Sequence, residues 1–190
     1  MTLNGQVIAW KSEIRYLGVF IVSAKTFKCN LQNNRQKFFI ATNGIFGKIG
    51  TRAPLDLILS LIDTFCIPVL FYGLEVLSLS KSDRSKLTLE FAYSTVFHKL
   101  FQVKDKENIN LCQYYTGCLP VSCRLDLRKL NFLRGLNDMK DSLPCILSEL
   151  ITSDEYCKLM NCYDILPADP TYSFRIKIVK WLEFKLNINA

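Results

Sequence analysis

Chemistry in a protein needs groups that take or give protons, attack, or hold a metal, and such groups are sparse in this sequence. The 190 residues include one histidine, His98, along with eight cysteines and 17 carboxylates. No motif puts a serine or cysteine nucleophile near His98, which reads as a helix-surface residue. The cysteines fall at 29, 66, 112, 118, 123, 145, 157 and 162. The tightest group, Cys112-x5-Cys118-x4-Cys123, lacks the short C-x2-C knuckle that wraps zinc. Buried thiols in a reducing compartment are the expectation. Apart from Asp154-Glu155, the carboxylates are scattered singly. Two-metal nucleotidyl transfer needs carboxylates that converge on ions about 3.5–4 Å apart, and no Asp-Asp pair occurs. Glycine-rich phosphate loops, a Gly-x-Ser-x-Gly elbow and His-Glu-x-x-His are also missing. The residues therefore predict no catalytic group, no metal site and no cofactor.

What remains is positive charge. Lys and Arg number 24 against 17 Asp and Glu, a surplus of +7. All of it lies in residues 1–52, where Lys11, Arg15, Lys25, Lys28, Arg35, Lys37, Lys48 and Arg52 are opposed by Glu13 alone. The rest of the chain is neutral. A localised surplus points to an acidic partner, and Lys11, Arg15, Lys37 and Lys48 are the candidates for meeting phosphates. At 49% hydrophobic and 22% charged, the chain is too apolar for a disordered tail.

Met1–Trp10 lacks a basic stretch followed by an apolar core, so no signal peptide is expected. Leu57–Leu74 is the most membrane-like window. Ser60, Asp63, Pro68 and Gly73 interrupt it, and it reads as a buried helix rather than a span. An intracellular protein, cytoplasmic or nuclear, is the expectation.

These candidates need elements to position them. Asn4-Gly5 is a strong hairpin signal, and a β-rich run from Ile14 to Val22 follows it. The leading strand is almost absent, as in a piece of a larger sheet. A helix comes next, with Leu31, Phe38, Phe39, Thr42, Ile45, Phe46 and Ile49 on one face and Lys37 and Lys48 on the other. Asn33 and Asn34 open it, and Gly44, Gly47 and Gly50 should weaken its end. Pro54 suits a first helical position, and the helix to about Tyr72 is apolar all round, as in the centre of a bundle. Pro68, Tyr72 and Gly73 read as core packing and helix termination, and Asp63 as a polar edge. Ser80 or Ser82 can cap a helix to about Val103, with Leu89, Tyr93, Val96, Phe97 and Leu100 as its stripe. Helices are also expected at Asn108–Tyr115, ended by Gly117, at Ser122–Met139 and at Leu143–Ile151. Thr152–Pro170 is loop-like. The tail is ambiguous: Tyr172, Phe174, Ile176 and Ile178 alternate, which favours a strand, whereas Lys180–Leu186 reads as helix.

Several segments, in this order, resemble one family. Glu13-Ile14-Arg15-Tyr16-Leu17-Gly18-Val19 is similar to the (K/R)-Y-L-G-(V/I) hairpin that follows the catalytic palm of non-LTR (LINE-type) retrotransposon reverse transcriptases. Leu3-Asn4-Gly5-Gln6-Val7-Ile8 looks like the strand-turn-strand leading into it. Ile67-Pro68-Val69-Leu70-Phe71-Tyr72-Gly73-Leu74-Glu75 resembles the family's L-P-x-L-x-Y-G-x-E segment in the thumb. Leu119-Pro120, Arg124-Leu125-Asp126-Leu127-Arg128 and Phe132-Leu133 are similar to the tail after the thumb in jockey-like elements. The match covers about residues 3–135.

The resemblance implies a primer grip at Arg15, Tyr16, Leu17 and Gly18, followed by thumb helices that track a template–primer duplex. It also implies that the family's (F/Y)-A-D-D carboxylates, and the magnesium they bind, belong to a segment upstream of Met1. Gly18 would then admit a sugar-phosphate backbone closely, Lys11 and Arg15 would meet phosphates, and Lys37 and Lys48, with Asn33 and Asn34, would follow one strand.

The expectation is a mainly α fold: a helical bundle with a short N-terminal β-hairpin. It divides into a hairpin remnant of the palm (1–24), a thumb-like bundle (25–104) and a helical extension (105–190). The function expected is template–primer binding by a non-catalytic part of an RNA-directed DNA polymerase. Two alternatives stand beside it. One is a protein-interaction module that self-associates through the sheet edge at Val7–Trp10 and Ile14–Ile21; the other is a relic without selected function.

Overall fold

A chain that reverses within two residues needs positive φ at the turn, which glycine adopts at little steric cost. Gly5, at φ 78°, does this between β1 (Thr2–Leu3) and β2 (Gln6–Val7), which pair antiparallel. At the next turn Leu17 (φ 45°) and Gly18 (φ 83°) are both left-handed, joining β3 (Glu13–Tyr16) to β4 (Val19–Val22). The run expected from Ile14 to Val22 is thus two strands with Leu17-Gly18 at their tip, because consecutive left-handed residues cannot continue a strand. β5 (Lys28–Asn30), which no sequence signal marks, pairs with the other side of β4. The leading hairpin and this three-stranded sheet are separate.

The computed structural model describes residues 2–3, 5–7, 9–25, 28–50, 53–77, 89–139 and 154–188. Helix α1 (Gln32–Ile49) buries Asn34, Phe38 and Thr42, and Lys37 and Lys48 are exposed. Gly44 and Gly47 do not interrupt it. The helix passes through both and stops at Gly50, whose N–H donates to the Phe46 carbonyl. Pro54 lies just outside α2 (Leu55–Leu61) rather than in its first position. A widened π-turn, Ile62–Cys66, connects α2 to α3 (Ile67–Leu70). Pro68, with no N–H to return to the preceding turn, follows it directly. Ile58, Ile62, Cys66 and Leu70 are buried, but Leu57 and Phe65 face solvent. This helix therefore flanks the bundle and is not at its centre.

Behind it pack α4 (Leu89–Phe101), α5 (Lys106–Tyr115) and α6 (Val121–Asp138). Leu89, Tyr93, Val96 and Phe97 form the buried stripe of α4. Asp105 caps α5 by accepting the Asn108 N–H at 3.2 Å. Ser80, Ser82 and the helix expected at Leu143–Ile151 lie outside the described residues.

Two expectations for the C-terminal part are overturned. Within the segment read as loop, α7 (Asp154–Cys162) buries Tyr156, Leu159 and Met160, at helical spacing. The alternating stretch from Tyr172 to Ile178, ambiguous but favouring a strand, is the first part of α8 (Thr171–Lys185). That element continues through the segment read as helix and buries Phe174, Ile178 and Leu182 every fourth residue. Tyr172 and Ile176 are exposed. Two apolar residues on the solvent side produced the apparent alternation.

The architecture is mainly α with a small N-terminal antiparallel sheet. Its buried side chains form two clusters. One gathers α1–α5 around Phe38, Ile62, Phe71 and Phe97, and the other gathers α6–α8 around Leu130, Phe174 and Ile178. Helix α6 serves both, turning Val121 and Leu125 toward the first and Leu130 and Leu133 toward the second. Among the described residues, no helix is long and apolar enough to cross a membrane.

Candidate nucleic-acid interface

The tip of the β3–β4 hairpin docks on the end of α3 through a pair of glycines. Gly73, left-handed at φ 73°, ends the helix and lies where a Cβ would come within 3.2 Å of Val19 Cγ2. In return, a Cβ on Gly18 would meet the Tyr72 ring at 3.3 Å. The Tyr72 hydroxyl donates to the Leu17 carbonyl at 3.0 Å, and its own backbone carbonyl accepts the Asn34 side-chain amide at 3.3 Å. Tyrosine suits this position because its apolar ring covers the turn while its hydroxyl satisfies a turn carbonyl.

Between these parts lies a cleft of about 390 Å³ lined by Gly18, Asn34, Lys37, Pro68, Val69 and Tyr72. The structure thus brings Gly18 and Lys37 together, with Leu17, 73% exposed, at the hairpin tip. Lys48 shares the exposed side of α1 with Lys37 but lies eleven residues on, roughly 16 Å along the axis. Lys11 and Arg15 do not line this cleft. Lys11 borders a second one, about 340 Å³, with Ala9, Trp10, Ile14, Ile21, Val22 and Ser23. The Arg15 guanidinium lies 5.9 Å from the centre of the Phe20 ring, its cross-strand partner. Tyr16 is exposed on the outer strand.

Three expectations change. The space that a side chain at Gly18 would occupy, expected to admit a sugar-phosphate backbone, is filled by Tyr72. Asn34 is buried at the floor of the cleft and its amide is hydrogen-bonded to the Tyr72 carbonyl, so it acts as a strut there. Tyr72, read as core, is an exposed wall of the site. Its signal in the sequence was a tyrosine directly before a helix-ending glycine.

Among the described residues, Lys11, Lys37 and Lys48 have no carboxylate partner, whereas several carboxylates of the bundle are engaged. Asp63 takes two hydrogen bonds from Arg124 at 2.8 and 3.3 Å, and Glu75 pairs with Arg128. Buried Asp126 accepts the Tyr163 hydroxyl at 2.8 Å, and burial, with Asp126 adding to it, pushes that phenol's pKa far up. Glu155 pairs with the buried Lys129 at 2.6 Å. These are bonds between helices, not poised acids and bases.

Burial raises the Cys66 and Cys123 thiols, which disfavours the thiolate. Cys118 and Cys123 sit in different core clusters. No three His, Cys, Asp or Glu among the described residues are placed to hold a metal ion. His98 is half-buried, with its Nδ1 against the Val103 carbonyl.

No family model, curated protein or solved structure matches the chain. Its function is therefore argued from its own residues. The segments that carry the resemblance touch one another: Leu17-Gly18 meets Tyr72, and Glu75 meets Arg128.

Proposed function

We propose that this chain is the primer-grip and thumb part of a LINE-type reverse transcriptase, and that it binds template–primer-like RNA–DNA hybrids without itself polymerising. The observation that carries the proposal is the cleft where the Leu17-Gly18 tip, Tyr72 and Lys37 converge. Lys48 continues the basic side of α1. The two lysines stand roughly 16 Å apart along the axis. The lysines meet phosphates while Leu17 and Tyr72 offer apolar contact to a sugar or base, so recognition is of backbone and shape rather than sequence.

Anisotropy titration of a labelled RNA–DNA hybrid across a salt series tests this. Affinity should fall as salt rises, with a log–log slope of about −0.9 per phosphate neutralised. Lys37→Ala with Lys48→Ala should make that slope shallower by about two. No binding at low salt, or an unchanged slope in the double variant, would refute the reading.

A further inference from the structure

The outer edge of β3 has no strand against it among the described residues. The Ser23 N–H donates to the Ser12 carbonyl at 2.8 Å, and the register runs Glu13↔Val22, Ile14↔Ile21, Arg15↔Phe20, Tyr16↔Val19. Hydrogen-bonded and non-bonded pairs alternate along an antiparallel ladder. Ser12, Ile14 and Tyr16 therefore direct their backbone groups at β4, while Glu13 and Arg15 direct theirs outward. Among the described residues no strand meets that outer edge, and all four residues of β3 are exposed. Unpaired strand edges of this kind recruit further strands unless something blunts them.

The side chains select which strand. With the twofold axis at Ile14, antiparallel pairing sets Glu13 of each copy opposite Arg15 of the other. Both residues then present outward N–H and C=O groups, so each pair closes two backbone hydrogen bonds and one charge pair. For that charge pair the Glu13 carboxylate exchanges the Asn30 amide at 2.9 Å, and Arg15 its place over Phe20, for the partner. Moving the axis to Glu13 or Arg15 places like charges directly opposite, which is destabilising. The same axis aligns the apolar side of the edge. Trp10, Ile14 and Tyr16 are 86%, 61% and 64% exposed, and Trp10 and Ile14 line one cleft with Ile21. Pairing sets Ile14 against its twin and covers the Tyr16 rings.

We infer that the chain forms a twofold homodimer through β3, registered on Ile14 and locked by reciprocal Glu13–Arg15 pairs. The interface is small, so a dissociation constant on the order of micromolar or weaker is expected. The dimer leaves the Gly18–Lys37 cleft unused and does not depend on nucleic-acid binding.

Sedimentation equilibrium of the nuclease-treated full chain over a concentration series tests the dimer. The parent chain should move from monomer to dimer, while Glu13→Arg and Arg15→Glu should each shift that equilibrium at least tenfold toward monomer. An equimolar mixture of the two variants should dimerise again, because the axis at Ile14 brings unlike charges together in both pairs. That rescue also shows that neither variant has simply lost its fold. A parent chain monomeric throughout would overturn the proposal, as would variants that dimerise as well as it does. So would a mixture that fails to associate, or a dimer that nuclease abolishes. Anisotropy on the Glu13→Arg chain separates the two proposals: hybrid binding that persists while dimerisation is lost means each stands on its own residues.

Discussion

Lys11, Lys37 and Lys48 in the first quarter live under different conditions from four basic residues of the helices behind them. In the bundle, Arg124 grips Asp63, Arg128 grips Glu75, Lys129 grips Glu155 and Lys177 grips Asp169, each joining one part of the chain to another. In the first quarter, Lys11, Lys37 and Lys48 point into solvent without a carboxylate among the described residues. Charge that is paired and partly buried supports the fold and is costly to remove. Unpaired exposed charge adds little to stability and keeps its field available to a partner.

Six substitutions press on that contrast. Leu130, fully buried between α6 and its neighbours, should show the largest effect. Leu130→Ala is expected to lower unfolding free energy by about 2–5 kcal/mol in urea denaturation, with hybrid affinity per folded molecule unchanged. Next comes Arg124→Ala, which removes two bonds to Asp63, one to the Leu119 carbonyl and a contact 5.2 Å from the Tyr93 ring centre. A loss of about 2 kcal/mol is expected, against less than about 0.5 for Lys37→Ala. Equal losses for the two would erase the distinction between regions.

Gly18→Ala places a Cβ against Tyr72 at a left-handed position and should cost about 1–2 kcal/mol. It should also weaken hybrid binding by loosening the tip. Leu17→Asn should act the other way on stability, adding up to about 1 kcal/mol, because asparagine tolerates positive φ better than leucine. If Leu17 contacts nucleic acid, that more stable variant binds less tightly. Improved stability and improved affinity together would remove Leu17 from the site.

The smallest effect concerns acid. The Lys177 ammonium, 2.5 Å away, lowers the Asp169 pKa, helped by the Leu166 N–H at 2.7 Å. A lowered folded-state pKa stabilises above the ordinary aspartate value of about 4 and is lost as pH falls through the lowered value. Asp169→Asn should therefore slightly flatten the fall of Tm on acidification below about pH 4. A parallel curve would show that this pair, screened at the surface, adds nothing.

Much of the frame was legible because its signals are local. Asn-Gly announced the first hairpin, Gly73 and Gly117 the ends of two helices, and the stripe of Leu89, Tyr93, Val96 and Phe97 the buried side of α4. Where local pattern was equivocal, packing decided. Phe174 and Ile178 fit both a two-residue and a four-residue repeat until Leu182 and the α6 surface chose the helix. Leu57 and Phe65 looked central because apolarity does not report which side a neighbour covers. Of the candidate site, Lys37 and Lys48 could be named from charge and helical face, and Leu17 and Gly18 from the resemblance alone. Tyr72 could not, since its role comes from a bond to a carbonyl 55 residues away.

The sequence by itself determined that the excess charge lies in the first quarter, that the chain is mainly helical and where most turns fall. Each of these depends on composition or on residues within a turn or two of one another. Tertiary structure alone decided that the hairpin tip seats on the end of α3, that Lys37 joins Gly18 at a cleft while Lys11 and Arg15 stay apart from it, and that no strand among the described residues meets the outer edge of β3. The first two are outcomes of docking between distant elements. They turn on which surfaces exclude water together, and no local stretch of residues encodes that.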